Sequence, residues 1–317
     1  MSELLQILVS FPTTEEQRRR MKEACPNGNF VFAASPTPEE LAPAHILAGH
    51  PAPEALSHAK NLRWFQCDFA GVDRYVAPGV LPESVLLTNA RGAYGLAIAE
   101  HMLAGTFALL KRLNQYHSNQ LAHVWRDEGP VTSMEDARVL LVGVGDIGGC
   151  YGRKAAALGS HVVGVRLHSG PKPDWMEEQY TIDRLEEELA KADIVAMSLP
   201  GTDLTNGMMN LARLRCMKPT AVLVNGGRGT TVVTDDLNTA LRQGIIAGAF
   251  LDVMDPEPLP ADHPLWDAPG AMLTPHIAGF YHLPQTVRNI NEIFIANLQA
   301  YVQGTPLRNV IDRRQGY

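Results

Sequence analysis

Short apolar runs alternate with amphipathic stretches along nearly the whole chain. In the first ninety residues the runs fall at 7–9, 30–32, 46–48, 64–66 and 85–87, each compact enough for a strand buried on both faces. Between them, Thr13-Thr14-Glu15-Glu16 and Pro38-Glu39-Glu40 carry helix-start signals, with a hydroxyl, acids or a proline where the first turn needs them. Parallel strands need a crossover, and crossover helices cover the sheet they return to. The alternation therefore predicts an α/β architecture with a parallel sheet.

A long helix is expected over 94–121, where Leu96, Ala99, Leu103, Phe107, Leu110 and Leu113 recur at three- and four-residue steps. A helix of that length suggests a span across domains or a subunit contact. The polar, turn-rich stretch 125–130 reads as a boundary after it. A second series follows, with candidate strands at 139–142, 161–165, 194–197, 221–224, 246–250 and 272–274. Six strands with helices between them fit a doubly wound parallel sheet of the Rossmann type. A closing helix over 285–302 is expected to cross back to the first domain.

Composition narrows the partners. The 317 residues suggest about two domains, and the formal net charge is −7 with no basic face or stripe. Neither nucleic acid nor an anionic membrane surface is expected as a partner. The start, Met1-Ser-Glu-Leu-Leu-Gln-Ile-Leu-Val-Ser10, has too short an apolar run and no basic flank for a signal peptide, so it reads as a first strand. No stretch approaches the roughly 18 to 20 apolar residues that cross a bilayer. Cysteines at 25, 67, 150 and 216 have neither disulfide nor metal-ligand spacing. Buried reduced thiols, no metal and a cytoplasmic location are the expectation.

Candidate chemistry begins at Gly143-Val-Gly145-Asp146-Ile147-Gly148, which follows an apolar run and opens a helix. Glycines there permit a tight turn, close approach of backbone to a pyrophosphate, and close helix–strand packing. The helix start then offers free N–H groups to phosphate. Eighteen residues beyond Gly148, where an acid would hold the ribose hydroxyls of NAD, stands Arg166, followed by His168 and Ser169. An arginine attracts a 2′-phosphate, so NADP(H) is preferred; NAD(H) stays possible, with Arg166 stacked on adenine.

Three further residues sit in short frames in the last third of the chain. They are Arg228 in Asn225-Gly226-Gly-Arg228-Gly, Glu257 in Asp252-Val-Met-Asp-Pro-Glu257-Pro-Leu-Pro, and His276 in Thr274-Pro-His276-Ile-Ala-Gly279. A cation for a carboxylate and carbonyl, a carboxylate to orient an imidazole, and an imidazole to move a proton are what reduction of a 2-keto acid requires. Taken singly, each could be a loop cation, a solvated turn acid or a satisfied histidine; their joint arrangement favours catalysis.

Together with Leu199-Pro200-x-Thr202-x-x-Thr205, Ala70-Gly71-Val72-Asp73 and Ala99-Glu100-His101, these frames closely resemble the D-isomer-specific 2-hydroxyacid dehydrogenase family over most of the chain. The resemblance implies a discontinuous, flavodoxin-like substrate domain (1–98 with 288–317) and a Rossmann cofactor domain (99–287), assembled as a homodimer through the cofactor domains. It assigns catalysis to Arg228, Glu257 and His276, the last as general acid/base. It implies that Gly143, Gly145, Asp146, Ile147, Gly148, Arg166, His168, Ser169, Leu199, Pro200, Thr205, Gly226, Arg228 and His276 line the cofactor. Asp252 would meet the nicotinamide amide, with a structural turn aspartate as the other reading. Ala70, Gly71 and Val72 would cradle the substrate carboxylate through backbone N–H groups, and Arg228 and His276 would also contact substrate.

Substrate choice is open at this level. Phe11, Phe69, Trp266, Phe280, Tyr281 and His282 could line a bulky pocket or pack the core, leaving glyoxylate and hydroxypyruvate as small candidates. A formate or phosphite dehydrogenase on the same scaffold is a rival; the formate branch typically carries glutamine where Glu257 stands. A dinucleotide-sensing, corepressor-like binding protein is a rival from another class, and such proteins keep the Arg–Glu–His set.

Overall fold

The computed structural model describes residues 3–313. The chain divides into two compact units: one runs up to Tyr94 and resumes at Tyr281, and the other is Gly95–Phe280.

The first unit is a five-stranded, all-parallel sheet of β1 (Leu5–Val9), β2 (Gly28–Phe32), β3 (Ile46–Gly49), β4 (Trp64–Cys67) and β5 (Leu86–Thr88), in the order β2-β1-β3-β4-β5. That order is the flavodoxin-like winding. The helix Glu15–Ala24 starts where the hydroxyl of Thr14 accepts from the Gln17 N–H at 3.2 Å and the Gln17 side chain accepts from the Thr14 N–H at 2.8 Å. This is a reciprocal capping box. The closing helix Pro284–Gln303 ends at Gly304, whose φ of 67° suits a residue without Cβ. Its Phe294 lies edge-on to Phe11 at 5.7 Å and against Trp64 at 5.6 Å. Phe11 is thus a core residue, which decides against the pocket reading for it. Beneath these rings the indole N–H of Trp64 donates to Thr88, and the amide of Asn297 donates to Gln66, so these buried polar groups are paired.

The second unit carries seven parallel strands: β6 (Arg138–Val142), β7 (His161–Arg166), β8 (Glu178–Thr181), β9 (Ile194–Met197), β10 (Val222–Asn225), β11 (Gly248–Leu251) and β12 (Ala271–Leu273). They lie in the order β12-β11-β10-β9-β6-β7-β8, the doubly wound arrangement with one strand more than the apolar runs announce. The added strand is β8, Glu-Gln-Tyr-Thr, at the sheet edge and only half-buried throughout. An edge strand has no second neighbour to cover it, so it needs no apolar run. Polar contacts hold it: Arg138 reaches Glu178 at 3.2 Å and the fully buried Glu188 at 2.7 Å.

The helix expected over 94–121 is two helices, Gly95–Leu110 and Leu113–Leu121. Arg112 between them takes a left-handed φ of 55°, and its side chain donates to the Pro130 carbonyl at 2.9 Å. The first helix buries Ala99, Met102, Leu103 and Thr106, and a Cβ at Gly105 would fall 2.2 Å from the Phe250 ring. The second buries nothing, so packing on the sheet stops where the first ends. The stretch 125–130 lies inside this unit, and the division falls at Tyr94/Gly95 instead.

Among the described residues no helix is long and apolar enough to cross a membrane. All four cysteines are unpaired; Cys25 and Cys67 are buried, whereas Cys150 and Cys216 are partly exposed.

Candidate active site

In the seven-stranded sheet the winding reverses between β6 and β9, and open α/β sheets bind ligands beyond the carboxyl ends of strands at such a point. Apart from Ala99-Glu100-His101, which lies within the helix Gly95–Leu110, the motifs of that unit follow the carboxyl ends of its strands. Gly143 follows β6 with a φ of 98°. A Cβ on Gly148 would sit 2.1 Å from the Gly143 carbonyl, so this glycine lets the helix Asp146–Ala157 come close to its strand. Gly145 caps that helix with no side-chain bond, and a Cβ there would meet nothing within 4 Å. The Asp146 carboxylate is turned away to accept from the Gly95 N–H at 2.9 Å. The first-turn N–H groups are left without a side-chain cap beside open space, which fits an anionic pyrophosphate. Ile147, next on the helix, is half-buried.

After β9, Leu199 packs against the turn, a Cβ on Gly143 being 3.1 Å from its methyl group. Pro200 is exposed, while the Thr205 hydroxyl donates back to the Pro200 carbonyl at 2.6 Å and accepts from the Thr202 N–H at 2.9 Å. Thr205 closes its own loop. At the end of β7 the half-buried Arg166 makes no hydrogen bond or ion pair among the described residues, and Gly170 lies against its guanidinium. His168 and Ser169 are exposed. Ser169 borders a recess of about 400 Å³ lined also by Gly170, Gln179, Tyr180, Thr181 and Arg184.

The Asn-Gly-Gly-Arg-Gly frame has a packing reason. A Cβ at Gly227 would fall 2.6 Å from the Leu199 nitrogen, one at Gly229 1.8 Å from the Met254 carbonyl oxygen, and one at Gly226 2.7 Å from Met102 sulfur. Only glycine lets the loop pass. The buried Asn225 accepts from the Gly227 N–H at 3.1 Å and donates to the Arg228 carbonyl at 3.1 Å, which fixes the turn that presents Arg228. The Arg228 guanidinium donates back to the Gly227 carbonyl at 2.9 Å.

Glu257 and His276 are brought into direct contact, His276 Nδ1 to Glu257 Oε2 at 2.7 Å. A carboxylate only accepts, so Nδ1 carries the hydrogen and Nε2 is the nitrogen left for chemistry. The other oxygen of Glu257 accepts from the Met254 N–H at 2.9 Å. The hydrogen bond that His276 Nδ1 donates to Glu257 holds the imidazole above its ordinary value, against the effects of burial and of the Arg228 charge. Burial alone would push the Glu257 carboxyl up, but the bonds from His276 and Met254 and the charges of His276 and Arg228 bring it below the usual carboxylate range. Both groups therefore feel Arg228.

His276 stands at a φ of 53°, and Asp252 is what holds it there. The buried Asp252 carboxylate accepts from the Thr274 hydroxyl at 2.6 Å and from the N–H groups of Ile277 and Ala278 at 3.0 Å, while its carbonyl accepts from the His276 N–H at 2.8 Å. His101 bonds Thr274 at 2.9 Å beneath the same loop. Thr274 was only the frame of a motif in the sequence; it is a positioning residue, and its hydroxyl two places before the histidine was the available signal. Trp266 is 49% exposed with its N–H on the Pro260 carbonyl, so it packs no core.

The Ala70–Val72 loop belongs to the other unit, directly after β4. Its Ala70 carbonyl accepts from Asn89 at 2.6 Å, and among the described residues none of its three N–H groups donates to a backbone oxygen.

Residues 103–278 match the NAD-binding domain of the D-isomer specific 2-hydroxyacid dehydrogenases. The chain is 31% identical over 283 residues to a protein of Serratia proteamaculans named glyoxylate/hydroxypyruvate reductase A, covering 86% of this chain and 87% of that one. Its fold matches a D-isomer specific 2-hydroxyacid dehydrogenase family protein of Aeromonas salmonicida with a TM-score of 0.86 at 30% identity, over 98% of this chain and 100% of that chain. It also matches an NADPH-dependent glyoxylate/hydroxypyruvate reductase of Sinorhizobium meliloti, solved with NADP and sulfate, with a TM-score of 0.83 at 27% identity over 99% and 100% of the two chains. The protein belongs to the D-isomer specific 2-hydroxyacid dehydrogenase family. It is thus an oxidoreductase that uses a nicotinamide dinucleotide.

Proposed function

We propose that this enzyme reduces short 2-keto acids, glyoxylate and hydroxypyruvate among them, to the 2-hydroxy acids, of D configuration wherever C2 becomes a stereocentre, with NADPH preferred over NADH. The observation that carries the reading is the 2.7 Å bond between Glu257 and His276 at the carboxyl end of a nucleotide-type sheet, with Arg228 close enough to bias both. Arg228 binds the substrate carboxylate and carbonyl oxygen and offsets the charge that grows on that oxygen. His276 donates the Nε2 proton to it as C2 becomes tetrahedral, and takes it back in the oxidative direction. Glu257 keeps the ring in the right tautomer and favours its charged form. NADPH, when bound, supplies the hydride that C2 receives.

The cofactor domain is the unit Gly95–Phe280 and the substrate domain is the other. Gly143, Gly145, Gly148 and Ile147 take the pyrophosphate end, and Leu199, Pro200 and Gly226 bound the dinucleotide. Asp146, Thr205 and Asp252 act by holding the loops that touch it, since their side chains are engaged by protein groups. Ala70, Gly71 and Val72 offer N–H groups to the substrate carboxylate. Arg166, with no protein partner among the described residues, takes the 2′-phosphate with His168 and Ser169 beside it; the NADP complex of the Sinorhizobium relative supports this. A homodimer and a cytoplasmic location complete the proposal. The exposed apolar side chains of Leu121, Val124, Trp125 and Val131 favour the first, and the four unpaired cysteines favour the second.

The test is oxidation of NADPH and NADH by the purified chain with glyoxylate and with hydroxypyruvate. Turnover should appear, with kcat/KM for NADPH above that for NADH by about tenfold or more, the scale of one charge-assisted phosphate contact. Tight NADPH binding without turnover of any 2-keto acid would leave a dinucleotide-binding protein instead.

A further inference from the structure

The unit built on β1 to β5 holds a second imidazole–carboxylate pair that the chemistry above does not use. His50 follows β3 and Asp68 follows β4, so both lie at the carboxyl ends of adjacent parallel strands, where such sheets bind ligands. Asp68 is completely buried, and His50 Nδ1 lies 3.0 Å from both of its oxygens. The Tyr281 hydroxyl donates to the same carboxylate and lies 3.2 Å from His50 Nδ1. Burial and the Asp68 charge push that hydroxyl far above the usual phenol range, so it stays a neutral donor. The imidazole is fixed further by Phe69 at 4.3 Å between ring centres, while Arg74 holds the backbone of His50, donating to its carbonyl at 3.1 Å. The ring itself is held through Nδ1 and its faces. Nε2 has no partner among the described residues, and the side chain keeps 35% of its surface exposed.

A buried carboxylate with one donor from Tyr281 already satisfies part of its need; a full-length imidazole is not required merely to fill it. What the arrangement adds is one oriented ring nitrogen, its tautomer set, on a histidine anchored to Asp68 and packed on Phe69, the two residues just before the Ala70–Val72 loop. We infer that His50 is a specificity-determining residue: its Nε2 accepts a hydrogen bond from a hydroxyl on C3 of the substrate, so that 3-hydroxy-2-keto acids are favoured over their unsubstituted analogues. Asp68 and Tyr281 are positioning residues that act through His50. The inference rests on the 2-keto acid reading above.

Hydroxypyruvate and pyruvate differ by that hydroxyl alone, and the ratio of their kcat/KM values does not depend on how much of a preparation is active. In His50→Leu the hydroxypyruvate/pyruvate ratio should fall about tenfold, mostly through a higher KM for hydroxypyruvate, as expected for one lost hydrogen bond in a site built to make it. His50→Gln, which keeps an acceptor, should restore part of it, and serves if the leucine variant does not fold. Tyr281→Phe should lower the ratio less than His50→Leu. An unchanged ratio in both His50 variants, with the parent active on both acids, overturns the inference and leaves the 2-keto acid reading intact. A parent inactive on every 2-keto acid overturns both.

Discussion

Glu257 and His276 in one unit keep 34% and 47% of their side-chain surface, whereas in the other unit Asp68 is completely buried under a His50 that keeps 35%. Both pairs bond through Nδ1 and leave Nε2 outward, yet their carboxylates are set up differently. Glu257 gives one oxygen to the imidazole and the other to a backbone N–H, beside a guanidinium charge. Asp68 gives its oxygens to the imidazole and a phenol, in a wall of aromatic rings. The open pair, biased by charge and held on a loop at a left-handed backbone angle, suits a group that must gain and lose a proton. The closed pair suits a group that must point. Substitutions on the two sides should therefore fail differently.

The largest difference should appear when each imidazole is replaced by an amide. His276→Asn is expected to lower kcat for reduction by at least about a hundredfold, the usual scale of general acid catalysis, with NADPH affinity little changed. His50→Asn is expected to act mainly on KM for hydroxypyruvate, within roughly tenfold. Steady-state kinetics of both variants with fluorescence titration of NADPH decides it. Equal losses of kcat would show that the two histidines are not divided between proton transfer and pointing.

A smaller effect should follow Glu257→Gln, and its sign is fixed. Glu257 raises the His276 imidazole, and in the proposed mechanism reduction needs that imidazole protonated, so activity is expected at low pH and should disappear as pH rises through the raised value. With a neutral partner the imidazole titrates lower. The reductive limb should then fall at lower pH than in the parent, and the oxidative limb should rise at lower pH too. A pH profile of kcat in both directions tests this; limbs that move in opposite directions, or not at all, remove Glu257 from its role.

The unit that carries Arg228, Glu257 and His276 was far more legible in the sequence than the one that carries His50. Arg228, Glu257 and His276 sit in frames whose glycines and prolines are forced by backbone packing, as the 1.8 Å clash of a Cβ on Gly229 illustrates. Such constraints leave a local trace. The His50–Asp68–Tyr281 cluster joins three segments up to 231 residues apart, and its only local mark is a polar residue at two strand ends. Strand β8 and the break at Arg112 escaped for related reasons. An edge strand held by Arg138 needs no apolar pattern, and an apolar step of three or four residues continues through Leu113 although nothing there packs. Periodicity reports what could be buried; the sheet decides where burial ends.

The smallest expected effect is on stability, at the buried carboxylate. Asp68→Asn preserves the shape and one acceptor, which the His50 N–H can keep, while the Tyr281 hydroxyl can turn to accept from the new amide. A charge-assisted bond becomes a neutral one, a loss of about 1 kcal/mol. Asp68→Ala instead removes the acceptor that His50 Nδ1 and the Tyr281 hydroxyl share; Nδ1 can turn to the phenol oxygen 3.2 Å away, and the half-buried Tyr281 hydroxyl is the group left unpaired, at about 1 to 3 kcal/mol. Thermal or denaturant unfolding should therefore rank the parent, then the asparagine variant close behind, then the alanine variant well below. The same order is expected in the hydroxypyruvate/pyruvate ratio, because the ring loses orientation in step with its anchor. If Asp68→Asn proved as destabilising as Asp68→Ala, the negative charge itself would be what the cluster requires, and the contrast with the open Glu257 pair would have to be drawn from charge, not from geometry.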